Sequence, residues 1–142
     1  MASLHHLIYQ STAAIDLSGM DLGRMLSQSR TRNTAADITG MLLYDGVRFL
    51  QVLEGPVEAV STTFARICSD CRHTQVQMLA NGPVAQRQFG QWAMGLANYV
   101  SSPEVGFVDP HPILLTLTDA SLCMLLHDFQ QYTGAGRVQH PF

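Results

Sequence analysis

Two runs rich in β-branched and aromatic residues, Ile38 to Tyr44 (ITGMLLY) and Val47 to Leu53 (VRFLQVL), are separated by Asp45-Gly46 alone. Asp-Gly between such runs is a strong signal for a two-residue β-hairpin, so two antiparallel neighbours constrain every fold open to this chain. Side chains alternate along a strand, which places Val47, Phe49, Gln51 and Leu53 on one face and Arg48, Leu50, Val52 and Glu54 on the other. Gln51 therefore stands among apolar neighbours. A buried primary amide without partners costs about 1–3 kcal/mol, so both its oxygen and its nitrogen require hydrogen-bonding groups.

The segments around the hairpin supply a scaffold. Leu4 to Ser11 (LHHLIYQS) reads as a first strand with His5, Leu7, Tyr9 and Ser11 on one face. Asp21 to Arg30 carries Leu22, Met25, Leu26 and Ser29 at helical spacing, and Asn33 falls just beyond this first helix. After the hairpin, Pro56 opens a second helix whose stripe is Val57, Val60, Phe64, Ile67 and Cys68. Gln75 to Ala80 alternates as a fourth strand, broken by Asn81-Gly82-Pro83, and Gln91 to Asn98 alternates as a fifth with Trp92, Met94 and Leu96 together. The order β-α-β-β-α-β with an appended strand is an α+β, ferredoxin-like arrangement, in which two helices cover one face of the sheet. The tail can cover the other face: Thr118 caps a helix with Leu122, Leu125, Leu126 and Phe129 on one side, ending near Gly134. This divides the chain into a domain over residues 1–100 and a C-terminal helical extension over 101–142 that packs on the sheet.

Composition narrows the function. A chain of 142 residues fits one domain, and at that length roughly two thirds of the unfolded surface can be buried. Charged residues make up only 13 %, which favours contacts with other chains, a homo-oligomer among them. All eight basic residues are arginines, so lysine-based covalent chemistry is excluded. Net charge is −3, and only Arg24, Arg30 and Arg32 cluster, on a segment that reads as helix, which disfavours nucleic acid as a partner. The first residues, MASLHHLIYQ, show neither signal peptide nor membrane span, and the odd number of cysteines, three, argues for reduced thiols; together these predict a cytoplasmic location.

Several motifs carry less than they first offer. Cys68-Ser69-Asp70-Cys71 with His73 resembles a redox or zinc motif only weakly: no second ligand pair exists at metal spacing and Cys68 lies on the apolar stripe, so a buried structural thiol is the expectation and no metal is expected. Acidic residues sit mainly at turns and helix starts, Asp21, Asp45, Asp70 and Asp119, where no pair converges for acid–base work. GAGRVQH, near the C-terminal end, loosely matches the phosphate loop of acylphosphatases and leaves an acylphosphatase-like hydrolase as one alternative, with a flavin-free protein-interaction module as another. Tyr9 and Gln51, by contrast, sit on neighbouring strands and face a helix that runs out through Ser29 and Asn33, which makes a polar slot.

Over roughly Leu4 to Asn98 the sequence resembles the BLUF family of flavin-dependent blue-light sensors, of the short, single-domain type. The residues that carry the resemblance are Tyr9-Gln10-Ser11, the stretch from Ser29 through Asn33 and Gly40 to Tyr44, then Phe49-Leu-Gln51-Val-Leu-Glu54-Gly55-Pro56, Asp70-Cys-Arg-His73 and Trp92-Ala-Met94. The resemblance implies a non-covalently bound flavin, FAD with FMN as the alternative, between the two helices, and Gln51 bridging it to Tyr9. It implies that Asn33 bonds the polar edge of the ring, that Ser29 and Arg32 lie near it, and that Met25, Phe49, Leu53 and Ile67 pack its faces. Arg66, Asp70 and His73 would reach the ribityl and phosphate end. Arg32 stands where family members often carry asparagine or histidine, and a cation there would shift flavin absorbance or reduction. Light-driven electron and proton transfer from Tyr9, followed by rearrangement or tautomerisation of Gln51, is the implied mechanism. Trp92 and Met94 are implied as the signal relay, with either of them beside the flavin. Output would then be conformational rather than catalytic, through an unidentified downstream signalling protein.

Overall fold

A computed structural model of the chain describes residues 3–14, 19–90, 93–98 and 124. The chain divides into two compact units, Met1–Val108 and Asp109–Phe142; the elements below belong to the first. They are β1 (Leu4–Ala13), α1 (Gly19–Ala36), β2 (Thr39–Tyr44), β3 (Arg48–Pro56), α2 (Val57–Cys68), β4 (His73–Pro83) and β5 (Gly95–Asn98). The sheet runs β4-β1-β3-β2-β5, antiparallel except for the β2–β5 pair. With β5 set aside, this is the ferredoxin-like order. Trp92 and, apart from residue 124, the segment proposed as the C-terminal helix, 118–134, lie outside the described residues.

Strand register places the slot. Tyr9 is directly opposite Gln51, and Gln51 is directly opposite Leu42, so three strands contribute one row to the same face. Under that row lies the core of Leu7, Leu22, Leu26, Ile38, Leu53 and Val60. Two glycines allow the close packing. A Cβ at Gly40 would lie 1.9 Å from the Val52 carbonyl oxygen, and one at Gly55 would lie 2.7 Å from the Asp37 carbonyl oxygen. Asp37 itself adopts a left-handed conformation, φ 59°, where α1 ends and the chain turns into β2.

The elements depart from their sequence expectations at five places. The hairpin connection spans residues 45–47 rather than two, because the Asp45 carboxylate accepts the N–H groups of Val47 and Arg48 at 2.9 and 2.6 Å and holds an Asx-type turn. Val47 is left in the loop, 62 % exposed, and off the Gln51 face. α1 continues to Ala36, so Asn33 lies within the helix and not beyond it. β4 continues through Asn81-Gly82-Pro83, with Gly82 opposite His6 and Pro83 opposite His5; as an edge strand it needs no N–H donor on its outer side, so proline is tolerated. β5 starts only at Gly95, which leaves Met94 on the segment entering the strand. Finally, Cys68 is exposed and not a buried thiol, and Val57 is exposed as well: α2 overhangs the sheet at both ends, and Val60 and Thr63 are its buried residues.

Candidate functional site

Both helices cover the same sheet face, and between them opens a cleft. It is lined from the sheet by Tyr9, Leu42, Phe49, Gln51 and Leu53, from α1 by Met25, Ser29, Arg32 and Asn33, and from α2 by Thr63, Arg66 and Ile67. Asp70, Arg72, His73 and Met94 complete the wall. Every candidate binding residue read from the sequence lies on this surface, and so do Tyr9 and Met94. Leu42, Thr63 and Arg72 were missed. Each had a signal: Leu42 faces Gln51 in the hairpin, Thr63 continues the buried side of α2, and Arg72 stands next to His73.

On the floor of the cleft the Tyr9 hydroxyl donates to Gln51 Oε1. With its oxygen occupied, the amide turns its nitrogen the other way, and Nε2 donates to Met94 Sδ at 3.4 Å. A thioether is a weak acceptor, so a side chain only 7 % exposed keeps unspent donor capacity. Burial pushes the Tyr9 phenol well above its ordinary pKa, and the neighbouring Cys68 and Asp70 add to the shift, so Tyr9 remains a neutral donor. Its ring meets Phe64 at 5.6 Å between centroids and His73 edge-on at 6.0 Å.

Asn33, 4 % exposed, donates from Nδ2 to the Ala93 carbonyl at 2.8 Å; among the described residues nothing donates to its Oδ1. His73 is held at both nitrogens. Nε2 lies 2.7 Å from the Ile67 carbonyl, which can only accept, so Nε2 carries a proton, and Nδ1 lies 2.8 Å from the Ser11 hydroxyl. Only the ring of His73 therefore faces the cleft. At the mouth, the Arg72 side chain bonds the Asp70 carboxylate at 2.9 and 3.0 Å and holds Asp70 below the usual carboxylate range, while the same bond pushes Arg72 up. Arg32 and Arg66 form no ion pair among the described residues and are exposed. A second groove, between α1 and α2, continues from these two arginines past Ala35, Ala36 and Ala59.

This donor set fits a flavin. Gln51 Nε2 calls for a better acceptor than sulfur, Asn33 Oδ1 calls for a donor, and Met25, Phe49, Leu53 and Ile67 offer apolar walls to a flat ring. The mouth carries more positive than negative charge, as phosphate requires.

Fold and site together define a ferredoxin-like domain with a cleft between its helices and a buried amide hydrogen-bonded between Tyr9 and Met94 on the cleft floor. The chain belongs to the BLUF family, described as sensors of blue light using FAD, whose model matches residues 4–95. It is 38 % identical over 90 residues to the blue light- and temperature-regulated antirepressor BluF of Escherichia coli (strain K12), a match that covers 63 % of this chain and 22 % of that protein. Among solved structures it is similar to the dark state of the BLUF protein BlrB, with 35 % identity, a TM-score of 0.66 and coverage of 69 % of this chain and 74 % of that one. It also resembles Klebsiella pneumoniae BlrP1 with FMN and cyclic diGMP, with 32 % identity, a TM-score of 0.75 and coverage of 89 % and 34 %. The domain is a flavin-binding blue-light sensor, and FAD is the cofactor of its family. The hydrolase alternative rested on GAGRVQH, which lies outside both the matched and the described residues.

Proposed function

We propose that this chain is a cytoplasmic blue-light receptor whose cleft holds FAD non-covalently and whose output is a change of shape passed to a partner protein. Residues 1–100 form the receptor domain and 101–142 an extension that relays the change. The Tyr9–Gln51–Met94 relay on the cleft floor is the observation that carries the reading. When bound, flavin supplies a blue-light-absorbing, strongly oxidising excited state. Asn33 Oδ1 accepts from a donor on the ring edge, and Gln51 Nε2 donates to an acceptor there. Arg32 and Arg66 take the phosphate end, and the groove between the helices leaves room for a dinucleotide, which favours FAD over FMN.

Tyr9 is placed to give an electron to that excited state and to take it back, and Gln51 Oε1 is the base within reach of the proton that leaves and returns with it. Once that hydrogen bond is broken the amide is free to rearrange, by rotation or tautomerisation, and to present its other end to the ring edge and to Met94. A new hydrogen bond to the chromophore lowers its transition energy, so the absorbance moves to the red. The chain then returns in the dark. A visible spectrum of the purified protein, before and after blue light, tests this. The expected result is a flavin spectrum with a small red shift that reverts in the dark, and FAD among the released cofactors. A colourless protein, or one that bleaches without shifting, would rule the reading out.

A further inference from the structure

Arg30 does not line the cleft, yet it holds a residue that does. Its Nε donates to the Met94 carbonyl at 2.8 Å, and one turn later on the same helix face Asn33 Nδ2 donates to the Ala93 carbonyl at 2.8 Å. Two side chains of α1 thus grip consecutive carbonyls of the segment that enters β5. The near end of this segment is fixed separately. The Glu54 carboxylate, 1 % exposed, accepts the N–H groups of Gln88 and Phe89 at 2.5 and 3.0 Å, and Arg87 bonds the Asp37 carbonyl at 2.9 Å. Past the Glu54 clasp, the α1 grip holds the Met94 backbone by its carbonyl. That in turn decides whether its sulfur meets Gln51 Nε2.

We propose that Arg30 is a positioning residue for the photocycle: by holding the Met94 carbonyl it keeps the Met94 sulfur on Gln51 and biases the amide toward the orientation seen here. The proposal rests on the cleft being a light-switched flavin site. A thioether is too weak an acceptor to orient a buried amide unless its position is already fixed, so the backbone grip supplies what the sulfur lacks. The guanidinium bond is charge-assisted and is the stronger half of that grip; the Asn33 bond is neutral and shares its side chain with the cleft. Without Arg30, Met94 is less restrained, and the orientation that presents Nε2 to sulfur loses ground to the rearranged one. Return from the light-adapted state slows.

The test is Arg30→Ala in two backgrounds, wild type and Met94→Leu. Arg30→Ala should leave the dark spectrum and the size of the red shift unchanged, because residue 30 does not touch the cleft. It should slow dark recovery about three- to tenfold. In the Met94→Leu background it should change recovery no further, since the residue it acts through is already gone. In the cofactor-free chain, amide exchange over residues 93–98 should rise about tenfold in Arg30→Ala and return toward wild type in Arg30→Lys, which retains a charged donor. If Arg30→Ala does not fold, Arg30→Met, which keeps the stem and loses the donor, carries the same cycle. Unchanged recovery, equal slowing in both backgrounds, or unchanged exchange in the cofactor-free chain each overturns the proposal. A wild-type chain that takes up no flavin overturns the flavin reading instead, and the cofactor-free exchange still decides the grip on Met94.

Discussion

Phenylalanine at position 9 removes one hydroxyl from the cleft floor and leaves the ring contacts with Phe64 and His73 in place. Tyr9→Phe should therefore retain the flavin and lose the red shift, as read by difference spectra; a normal shift with normal yield would mean that Tyr9 is not required. The loss of its donor leaves Gln51 Oε1 buried without a partner, at a cost of about 1–3 kcal/mol in a urea titration. A second effect of the same substitution appears at high pH. Burial raises the native phenol pKa above its ordinary 10.0, so the unfolded chain loses this proton first and the folded state is penalised as pH climbs beyond that value. Tyr9 thus leaves stability intact below pH 10.0 and erodes it above, and Tyr9→Phe should flatten that alkaline limb. Gln51→Leu tests the other half of the relay. Leucine matches the volume without the hydrogen bonds, so the variant should bind flavin and form no red-shifted state. A complete photocycle in Gln51→Leu would exclude an amide switch.

At the scale of elements, the close approach of β2 and β3 depends on a glycine. A Cβ at position 40 would lie 1.9 Å from the Val52 carbonyl oxygen, which is backbone and cannot rotate away, and 3.3 Å from the Met94 methyl carbon. Gly40→Ala should therefore cost more than about 2 kcal/mol in chemical denaturation, with Met94 displaced from Gln51; a loss under about 0.5 kcal/mol would show that the two strands can separate without penalty. The close approach is invisible in the sequence, where Gly40 merely interrupts an apolar run. What the sequence does reveal is periodic. Alternation put Phe49, Gln51 and Leu53 on one face and Tyr9 on the neighbouring strand, and helical spacing brought Met25 and Ser29 to the cleft. Where non-periodic groups decide, prediction failed. The Asp45 side chain lengthened the hairpin loop, a proline at an outer edge did not end β4, and α1 kept its helical course through polar residues because Asn33 has a partner in the chain beyond. The roles given to Arg32, Arg66 and Asp70 came from family resemblance rather than from pattern. The Asp70–Arg72 pair shows why: which arginine stays free for phosphate depends on side-chain geometry that spacing does not encode.

For the molecule as a whole, a change at Gln51 can leave by either edge of the sheet, and the anchoring of the two edges decides between them. β4 is paired with β1 from His5↔Pro83 to Ala13↔His73. β5 is much shorter, four residues paired with β2 from Met41↔Gly95 to Tyr44↔Asn98, and it begins one residue after the methionine that touches Gln51. On the N-terminal side of that methionine, Glu54 clasps the backbone of Gln88 and Phe89, so a displacement of Met94 meets a fixed point behind it and a short strand ahead. Local opening is easiest where pairing is shortest, and coupling of about 1–3 kcal/mol between the amide and β5 would suffice to shift its population of open states. Hydrogen exchange compared in darkness and under blue light should therefore differ about tenfold or more over residues 95–98 and stay constant over β4. Glu54→Gln, which weakens the clasp by replacing a carboxylate acceptor with an amide, should spread the light-dependent difference back into residues 87–90 without altering the red shift. If β4 responded to light while β5 did not, the signal would leave by the opposite edge and Met94 would report on the flavin without relaying it.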